Sequence, residues 1–169
     1  DPNETVIAEA GSMMMMDQNI EMNTILGDGS KQDENIFGKI FSAGKRVLTG
    51  ESLFMTTYTQ RGLTKANVTF AAPYPGKIIP MDLSEFNGKV ICQKEAFLCA
   101  AKGVSVGIEF QRKLGVGFFG GEGFIMQKLE GDGLAFVHAG GTVVKKTLAP
   151  GEVLNVDTGC LVALNSNVN

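Results

Sequence analysis

The chain has 169 residues, a net charge of −3 and a hydrophobic share of 44%. This length and composition fit one globular domain, or a few small modules that share a core. The slight acidic excess offers no basic surface for DNA or for an anionic membrane. No apolar run reaches the ~18 residues that a membrane-spanning helix needs.

The cysteines indicate a reducing compartment. Cys92, Cys99 and Cys160 are an odd number without CxxC spacing, in a chain too large to depend on disulfides. We interpret them as small apolar residues and expect a cytoplasmic protein. The chain begins at Asp1 without a Met or a signal peptide, and we expect it to be a processed or trimmed piece.

Most of the chain consists of short apolar or alternating runs that are separated by turn residues, among them 22 glycines. Runs of four to eight residues with this spacing are typical of β-strands. In chain order the runs are TVIAEA, SLFMTTYT, NVTFAA, KIIPMDL, KVICQ, AFLCAA, VSVGIEF, GFIMQKL, LAFVHA, TVVKKTL and CLVAL. The sequence therefore predicts an all-β fold, a β-sandwich or a double-stranded β-helix-like barrel.

One segment, DENIFGKIFSAGKRVL, departs from this pattern. Its apolar residues recur every three or four positions: Ile36, Phe37, Ile40 and Phe41. Asp33 is a suitable N-cap, and the spacing predicts one short helix near residues 34–43. We expect this helix to pack on the sheet. The alternative is that its apolar face contacts a membrane surface or a partner protein.

The chain also repeats itself. GKVICQKEAFLCA (88–100) returns as GEVLNVDTGCLVAL (151–164) and more distantly as NETVIAEAGSMMM (3–15). The alignment places Asn3, Gly88 and Gly151 in one column, and Val6, Ile91 and Leu154 in another. Upstream, GKIIPMDL (76–83) matches GTVVKKTL (141–148), and GESLFM (50–55) matches GEGFIM (121–126). These matches predict an internal repeat with pseudo-threefold symmetry.

We interpret residues 1–169 as a single domain of three units: unit one (3–75), unit two (76–140) and an incomplete unit three (141–169). Unit three lacks a GE strand, and unit one lacks the GxVV strand that opens the others. Missing strands leave sheet edges without partners, and such edges invite pairing with another chain. The sequence therefore predicts an oligomer rather than a lone monomer.

The blocks GGEGFIMQKLEGDGLAF, LAPGEVLNVDTGCLVAL and ETVIAEAGSMMMM together carry a family resemblance. The chain resembles a family of largely uncharacterised bacterial proteins that is related to a fungal mitochondrial biogenesis protein. The resemblance implies a fold like that of the tryptophan RNA-binding attenuation protein (TRAP-like), written three times in one chain, and a homotrimer of such chains. Family chains continue past the point where this one ends. The resemblance implies no catalytic residue.

Two apolar stretches are candidates for the subunit interface. The run MMMM (13–16) can be an adaptable contact surface, or it can be buried on both faces in a core or between subunits. The stretch SLFM (52–55) is the second candidate. The residues we expect at the interface are Met13, Met15, Leu53 and Met55.

The motifs that suggest chemistry are weak. GVGFFG (115–120) matches GxGxxG, but the stretch after it is strand-like, whereas a dinucleotide site needs a helix there. His138 is the only histidine, which excludes a multi-histidine metal site, and we expect it to be exposed or satisfied in the core. Glu51 and Glu122 follow glycines at matched repeat positions, where solvated or turn-capping carboxylates are usual. We expect no enzyme activity, no cofactor and no metal.

Basic pairs at 45–46, 112–113 and 145–146 raise the question of RNA binding. They occupy unmatched repeat positions in an acidic chain without tryptophan. The sequence therefore favours a non-catalytic oligomeric scaffold or interaction protein. The alternatives are an RNA-binding or a membrane-surface-binding module of the same fold, of which RNA binding is the less favoured.

Overall fold

The structure is a computed structural model that describes residues 1–26, 54–109 and 126–168. This part of the chain is built from antiparallel β-strands and short 3-10 turns, which confirms the predicted all-β fold. The predicted helix near 34–43 lies outside the described residues. The strands are β1 (Thr5–Glu9), β2 (Met13–Met16), β3 (Ile20–Leu26), β4 (Phe54–Gln60), β5 (Val68–Phe70), β6 (Gly76–Asp82), β7 (Lys89–Gln93), β8 (Phe97–Ala101), β9 (Ser105–Glu109), β10 (Met126–Glu130), β11 (Leu134–Gly140) and β12 (Ala163–Asn165).

The described strands form three sheets. A six-stranded sheet has the order β3-β4-β1-β8-β11-β6, and a four-stranded sheet has the order β12-β7-β10-β9. The third sheet contains β2 and β5. Strands β1 and β8 are adjacent in the six-stranded sheet, and they join predicted unit one to predicted unit two.

The larger core lies between the six-stranded and the four-stranded sheets. Ile7 and Val137 reach it from the six-stranded sheet, and Val90 and Leu129 reach it from the four-stranded sheet. A smaller cluster around Tyr58 joins the six-stranded sheet to β2 and β5. The six-stranded sheet is therefore packed on both faces. A strand at its centre must be apolar on both sides, and β8 has the uninterrupted apolar sequence FLCAA.

Predicted units one and two pair their strands in the same way. In unit one, β4 lies between β3 and β1, and β2 pairs with β5. In unit two, β10 lies between β9 and β7, and β8 pairs with β11. The two segments that share a sequence pattern therefore share a strand topology.

The register corrects the sequence alignment by one residue. The alignment pairs Val6 with Ile91, but in the structure Val6 faces Tyr58 while Val90 faces Leu129. Tyr58 and Leu129 occupy the same place in their GE segments, so Val6 corresponds to Val90. Because side chains alternate along a strand, a slip of one residue would exchange the two faces.

The origin of the slip lies in the turn before each strand. Asn3, Gly88 and Gly151 all have left-handed backbones, with φ of 65°, 76° and 81°. Such a conformation favours glycine or asparagine, which explains the aligned column. Asn87 is also left-handed, with φ of 54°. It lies three positions before Val90, as Asn3 lies three positions before Val6.

Predicted unit three has a different structure from the other two. Residues 142–157 contain no strand. They include a turn at 149–152, in which the Glu152 amide donates to the Ala149 carbonyl oxygen at 2.9 Å. Strand β12 then pairs with β7. Among the described residues, the segment 142–157 therefore lacks the strand partners that its equivalents in unit two have.

Candidate functional site

Two regions of the described structure are candidates for function: an exposed apolar surface and a cavity. The exposed surface contains residues that the sequence singled out. The cavity contains the single histidine in a setting that the sequence did not indicate.

Strand β2 exposes apolar side chains. Met14 and Met15 are 58% and 60% exposed, and Met16 is also exposed. Met13 is half-buried and lies opposite Phe70 of β5. Met14, Met15 and Met16 are therefore surface residues in this chain, whereas Met13 packs against the smaller core cluster.

The other residues expected at the interface lie elsewhere. Met55 is fully buried in the larger core and does not reach the surface of the chain. Leu53 lies outside the described residues. So do the four residues expected to contact a membrane or a partner, Ile36, Phe37, Ile40 and Phe41. The motif at 115–120 and the paired Glu51 and Glu122 are likewise outside the described part.

A second exposed apolar stretch follows the turn at 149–152. Val153 is 84% exposed, and Leu154 and Val156 are also exposed. The equivalent stretch of unit two, Lys89–Gln93, is strand β7, in which Val90 and Cys92 are fully buried. Aliphatic side chains of this kind gain roughly 1.5–3 kcal/mol each when they are removed from water. The stretch 152–156 therefore has a substantial driving force for contact.

The cavity lies where the two units meet, and its volume is about 270 Å³. Its walls come from the β1–β2 turn, the link between β5 and β6, the 3-10 turn Lys94–Ala96, and strands β8 and β11. The lining residues are Glu9, Ala10, Gly11, Ser12, Ala71, Pro73, Tyr74, Lys94, Glu95, Phe97, Leu98 and His138.

Local structure fixes Glu9 at the wall. It is the last residue of β1, and the turn after it is held by Ser12, whose amide and Oγ both donate to the Glu9 carbonyl oxygen, the Oγ at 2.8 Å. Gly11 supplies the left-handed residue of this turn. Oε2 of Glu9 is buried without a hydrogen-bond partner. Burial raises the pKa of the Glu9 carboxyl, and the charge of Lys94 opposes part of that rise.

His138 is the second residue of the wall that has a buried polar atom without a hydrogen-bond partner. It belongs to β11, opposite Ile78, and is only 3% exposed. Its Nδ1 is buried and has no hydrogen-bond partner. The Tyr74 ring meets the imidazole edge-on, with 5.0 Å between ring centroids. The expectation of an exposed or satisfied histidine is therefore wrong, since this one is buried with one nitrogen unsatisfied.

Nothing in the sequence singled out Glu9 or Tyr74. The only signal is an acid inside the apolar run TVIAEA, two residues before the turn glycine Gly11. Among the described residues, no group of three or more histidines, cysteines, aspartates or glutamates is arranged to hold a metal ion. The three cysteines are free, with Cys92 and Cys99 buried and Cys160 exposed.

Comparison with known proteins supports the fold. The family model described as mitochondrial biogenesis AIM24 matches residues 1–169. No curated protein matches the chain. The crystal structure of a protein from Streptococcus pyogenes is similar with a TM-score of 0.58 at 21% sequence identity. The match covers 83% of this chain and 57% of that protein, so the chain spans little more than half of its relative's length. No helix in the described part is long and apolar enough to cross a membrane.

Proposed function

The chain belongs to the mitochondrial biogenesis AIM24 family, and we propose that it is a non-catalytic scaffold that assembles into a closed, threefold homo-oligomer in the cytoplasm. The observation that carries this proposal is the exposed apolar stretch 152–156, which forms no strand. Its equivalents in the other two units are paired strands.

The strand pairing of the described units supports a particular partner for this stretch. In unit one, the strand after the aligned turn is β1, and it pairs with β8, the strand that follows β7 in unit two. In unit two, the strand after the aligned turn is β7, and it pairs with β12 of unit three. Continued once more, this rule pairs residues 152–156, which follow the aligned turn of unit three, with β2 of unit one.

Both members of the proposed pair are suited to contact. Strand β2 has one paired neighbour in the described structure, β5, and its other edge is open. Met14, Met15 and Met16 of this strand are exposed. So are Val153, Leu154 and Val156 of the other stretch. An open apolar edge is a template for strand addition. We assign as its occupant the 152–156 stretch of a second copy of the chain.

A contact between two different surfaces has a consequence for symmetry. When residues 152–156 of each copy bind β2 of the next, the contact is head-to-tail, and such contacts form closed rings when the rotation between copies closes. The three-unit pattern of the chain supports a ring of three. The TRAP-like triplicated architecture of each chain is part of this proposal.

A disulfide trap tests the pairing. We would combine Met16→Cys with Leu154→Cys, the pair equivalent to Ile7 and Ala100 across β1 and β8, in a Cys160→Ser background. Cross-strand neighbours lie close enough for a disulfide. The control combines Met16→Cys with Leu63→Cys, because Leu63 is 96% exposed and lies outside the proposed contact.

We expect oxidation of the first variant to give covalent multimers on non-reducing gels, and the control to give none. A disulfide confined to single chains would overturn the pairing between copies. Failure to form any disulfide, together with the mass of one chain in solution, would overturn the scaffold itself.

A further inference from the structure

Methionine is concentrated on one exposed strand of this protein. Four of the eight methionines of the chain are the consecutive residues 13–16, which form β2. Met14 and Met15 are more than half exposed, and Met16 is 39% exposed. By contrast, the methionines of β4 and β10 are at most 1% exposed. The thioether groups that water and small oxidants can reach are therefore gathered mainly on β2.

The equivalent strand of unit two, β8, is buried. Each strand has a bulge at its second residue, which has no residue of its own opposite it: Met14 in β2 and Leu98 in β8. The shared bulge makes Met13–Met16 equivalent to Phe97–Ala100, whose residues are at most 7% exposed. Strand β8 pairs with β1 as well as with β11, whereas in the described structure β2 pairs only with β5. The methionines of β2 are thus exposed where a second partner strand would bury them.

We propose that Met14, Met15 and Met16 are a site of reversible oxidation that controls the assembly of the protein. This inference rests on the proposed scaffold, in which β2 binds residues 152–156 of a second copy. In the dissociated chain an oxidant reaches the three side chains, and their oxidation prevents β2 from binding the next copy.

The modification is a two-electron oxidation of a thioether by a peroxide. The Sδ atom of methionine attacks one oxygen of hydrogen peroxide, the O–O bond breaks and an S–O bond forms. Methionine becomes its sulfoxide, and the peroxide is reduced to water. Reduction back to the thioether takes two electrons from a dithiol, which becomes a disulfide, and releases the oxygen as water. Two methionine sulfoxide reductases, one for each sulfoxide epimer, catalyse this step.

Oxidation changes the property on which the contact depends. The methionine side chain is flexible and apolar, whereas its sulfoxide is polar and carries an oxygen that needs a hydrogen-bond donor. Pairing of β2 with a second strand would remove that oxygen from water, and the backbone N–H groups of paired strands are already engaged. Because a buried polar group without a partner is unfavourable, we expect oxidised β2 to bind at least about tenfold more weakly.

Contact alone does not require methionine at these positions. The equivalent residues of β8, Phe97–Ala100, are buried between two strands and include no methionine. Methionine also has no special preference for strands, which favour β-branched and aromatic residues. What distinguishes three exposed methionines from three leucines is a sulfur atom that can be oxidised and reduced. This difference defines the test.

The experiment oxidises the full chain and then measures its assembly. A Cys160→Ser background is used, because the thiol of Cys160 is exposed and also reacts with peroxide. The protein is treated with hydrogen peroxide while dilute, the oxidised residues are mapped by mass spectrometry, and the sample is concentrated for light scattering. We expect Met14, Met15 and Met16 to be oxidised before Met55, and the mass to fall from three chains to one. Treatment with both reductases and a dithiol should restore the mass of three chains.

Matched variants assign the effect to β2. The triple variant Met14→Leu, Met15→Leu, Met16→Leu keeps the strand apolar and removes its exposed sulfur atoms, and we expect it to remain a trimer after peroxide. Met22→Leu removes a methionine that is 50% exposed on β3, outside the proposed contact. This control should dissociate after peroxide as the parent does.

The outcomes separate this inference from the scaffold on which it rests. A parent that keeps the mass of three chains although residues 14–16 are oxidised would overturn the inference alone. Equal loss of assembly in the triple variant would do the same, since the damage would then act elsewhere. If the triple variant does not assemble before treatment, the oxidised parent decides, and failure of the reductases to restore its mass would overturn the reversible site. A parent with the mass of one chain before peroxide would overturn both proposals.

Discussion

Two stretches with the same sequence pattern take different structures in this protein. Residues 76–93 contain GKIIPMDL and GKVICQ, and they form β6 and β7 with partners in two sheets. Residues 141–156 contain GTVVKKTL and GEVLNV, and they form no strand. Since the residue types are alike, the difference lies in the neighbours. The pattern makes a stretch capable of being a strand, and a partner edge makes it one.

The largest expected effect compares equivalent valines in the two stretches. Val90 is 1% exposed in the core, and Val90→Lys should cost about 4 kcal/mol or more, because it buries a charge without a partner. Val153→Lys places the same charge on an exposed site and should change the stability of the dissociated chain by no more than about 0.5 kcal/mol.

Urea unfolding at high dilution measures the stability of the dissociated chain for both variants. In the assembled protein, by contrast, Val153→Lys is expected to weaken the contact between copies. A large loss of stability for the dissociated Val153→Lys chain would mean that residues 152–156 are already packed within one chain.

The second expected effect concerns the thiols of units two and three. Burial raises the pKa of Cys92 in β7 to about 12 and that of Cys99 in β8 to about 11. Because the thiolate is the reactive form, both should resist modification at pH 8, whereas exposed Cys160 should react.

Labelling with Ellman's reagent measures this difference. We expect one thiol per chain to react rapidly and the other two at least about 100-fold more slowly, until urea exposes all three. Comparable rates for Cys92 and Cys160 in the folded protein would contradict the buried position of β7.

The sequence was sufficient for some of these features. Most of the strand runs, the turn column of Asn3, Gly88 and Gly151, and the segments that pair alike in units one and two follow from short-range pattern. These features depend on backbone conformation and on alternation within a few residues, which a sequence displays directly. Two strand predictions were wrong: TVVKKTL forms no strand, and β3 was not among the predicted runs.

Other features depend on distant parts of the chain, and the sequence did not reveal them. Glu9 and His138 line one cavity only because β1 and β11 lie in the same sheet. Met55 is apolar like Met15, and only packing shows that one is core and the other is surface. The slip of one residue between Val6 and Val90 needed the register of β4 and β10.

The smallest expected effect concerns Glu9. Burial raises its pKa in the folded state, so the folded protein holds that proton more tightly than the unfolded chain does. Stability from this group is therefore present at low pH and is lost as pH rises through the folded pKa. Glu9→Gln should raise the melting temperature by about 1–3 °C at pH 7.5 and change it little at pH 4.

Thermal unfolding of the parent and the variant at both pH values checks this sign. The nearby Lys94 lowers the pKa of Glu9 and keeps the effect small. An equal shift at pH 4 and pH 7.5 would show that the change acts through packing rather than through the charge of the buried carboxylate.

We propose that another copy of the chain completes the unpaired stretch of unit three. The decisive measurement is light scattering coupled to size-exclusion chromatography at micromolar concentration, with Val153→Lys beside the parent and Leu63→Lys as the control. We expect the parent and the control to have three times the chain mass of 18.0 kDa, and the Val153→Lys variant to dissociate. A parent that elutes with the mass of one chain, unchanged by concentration, would show that no other copy completes this stretch.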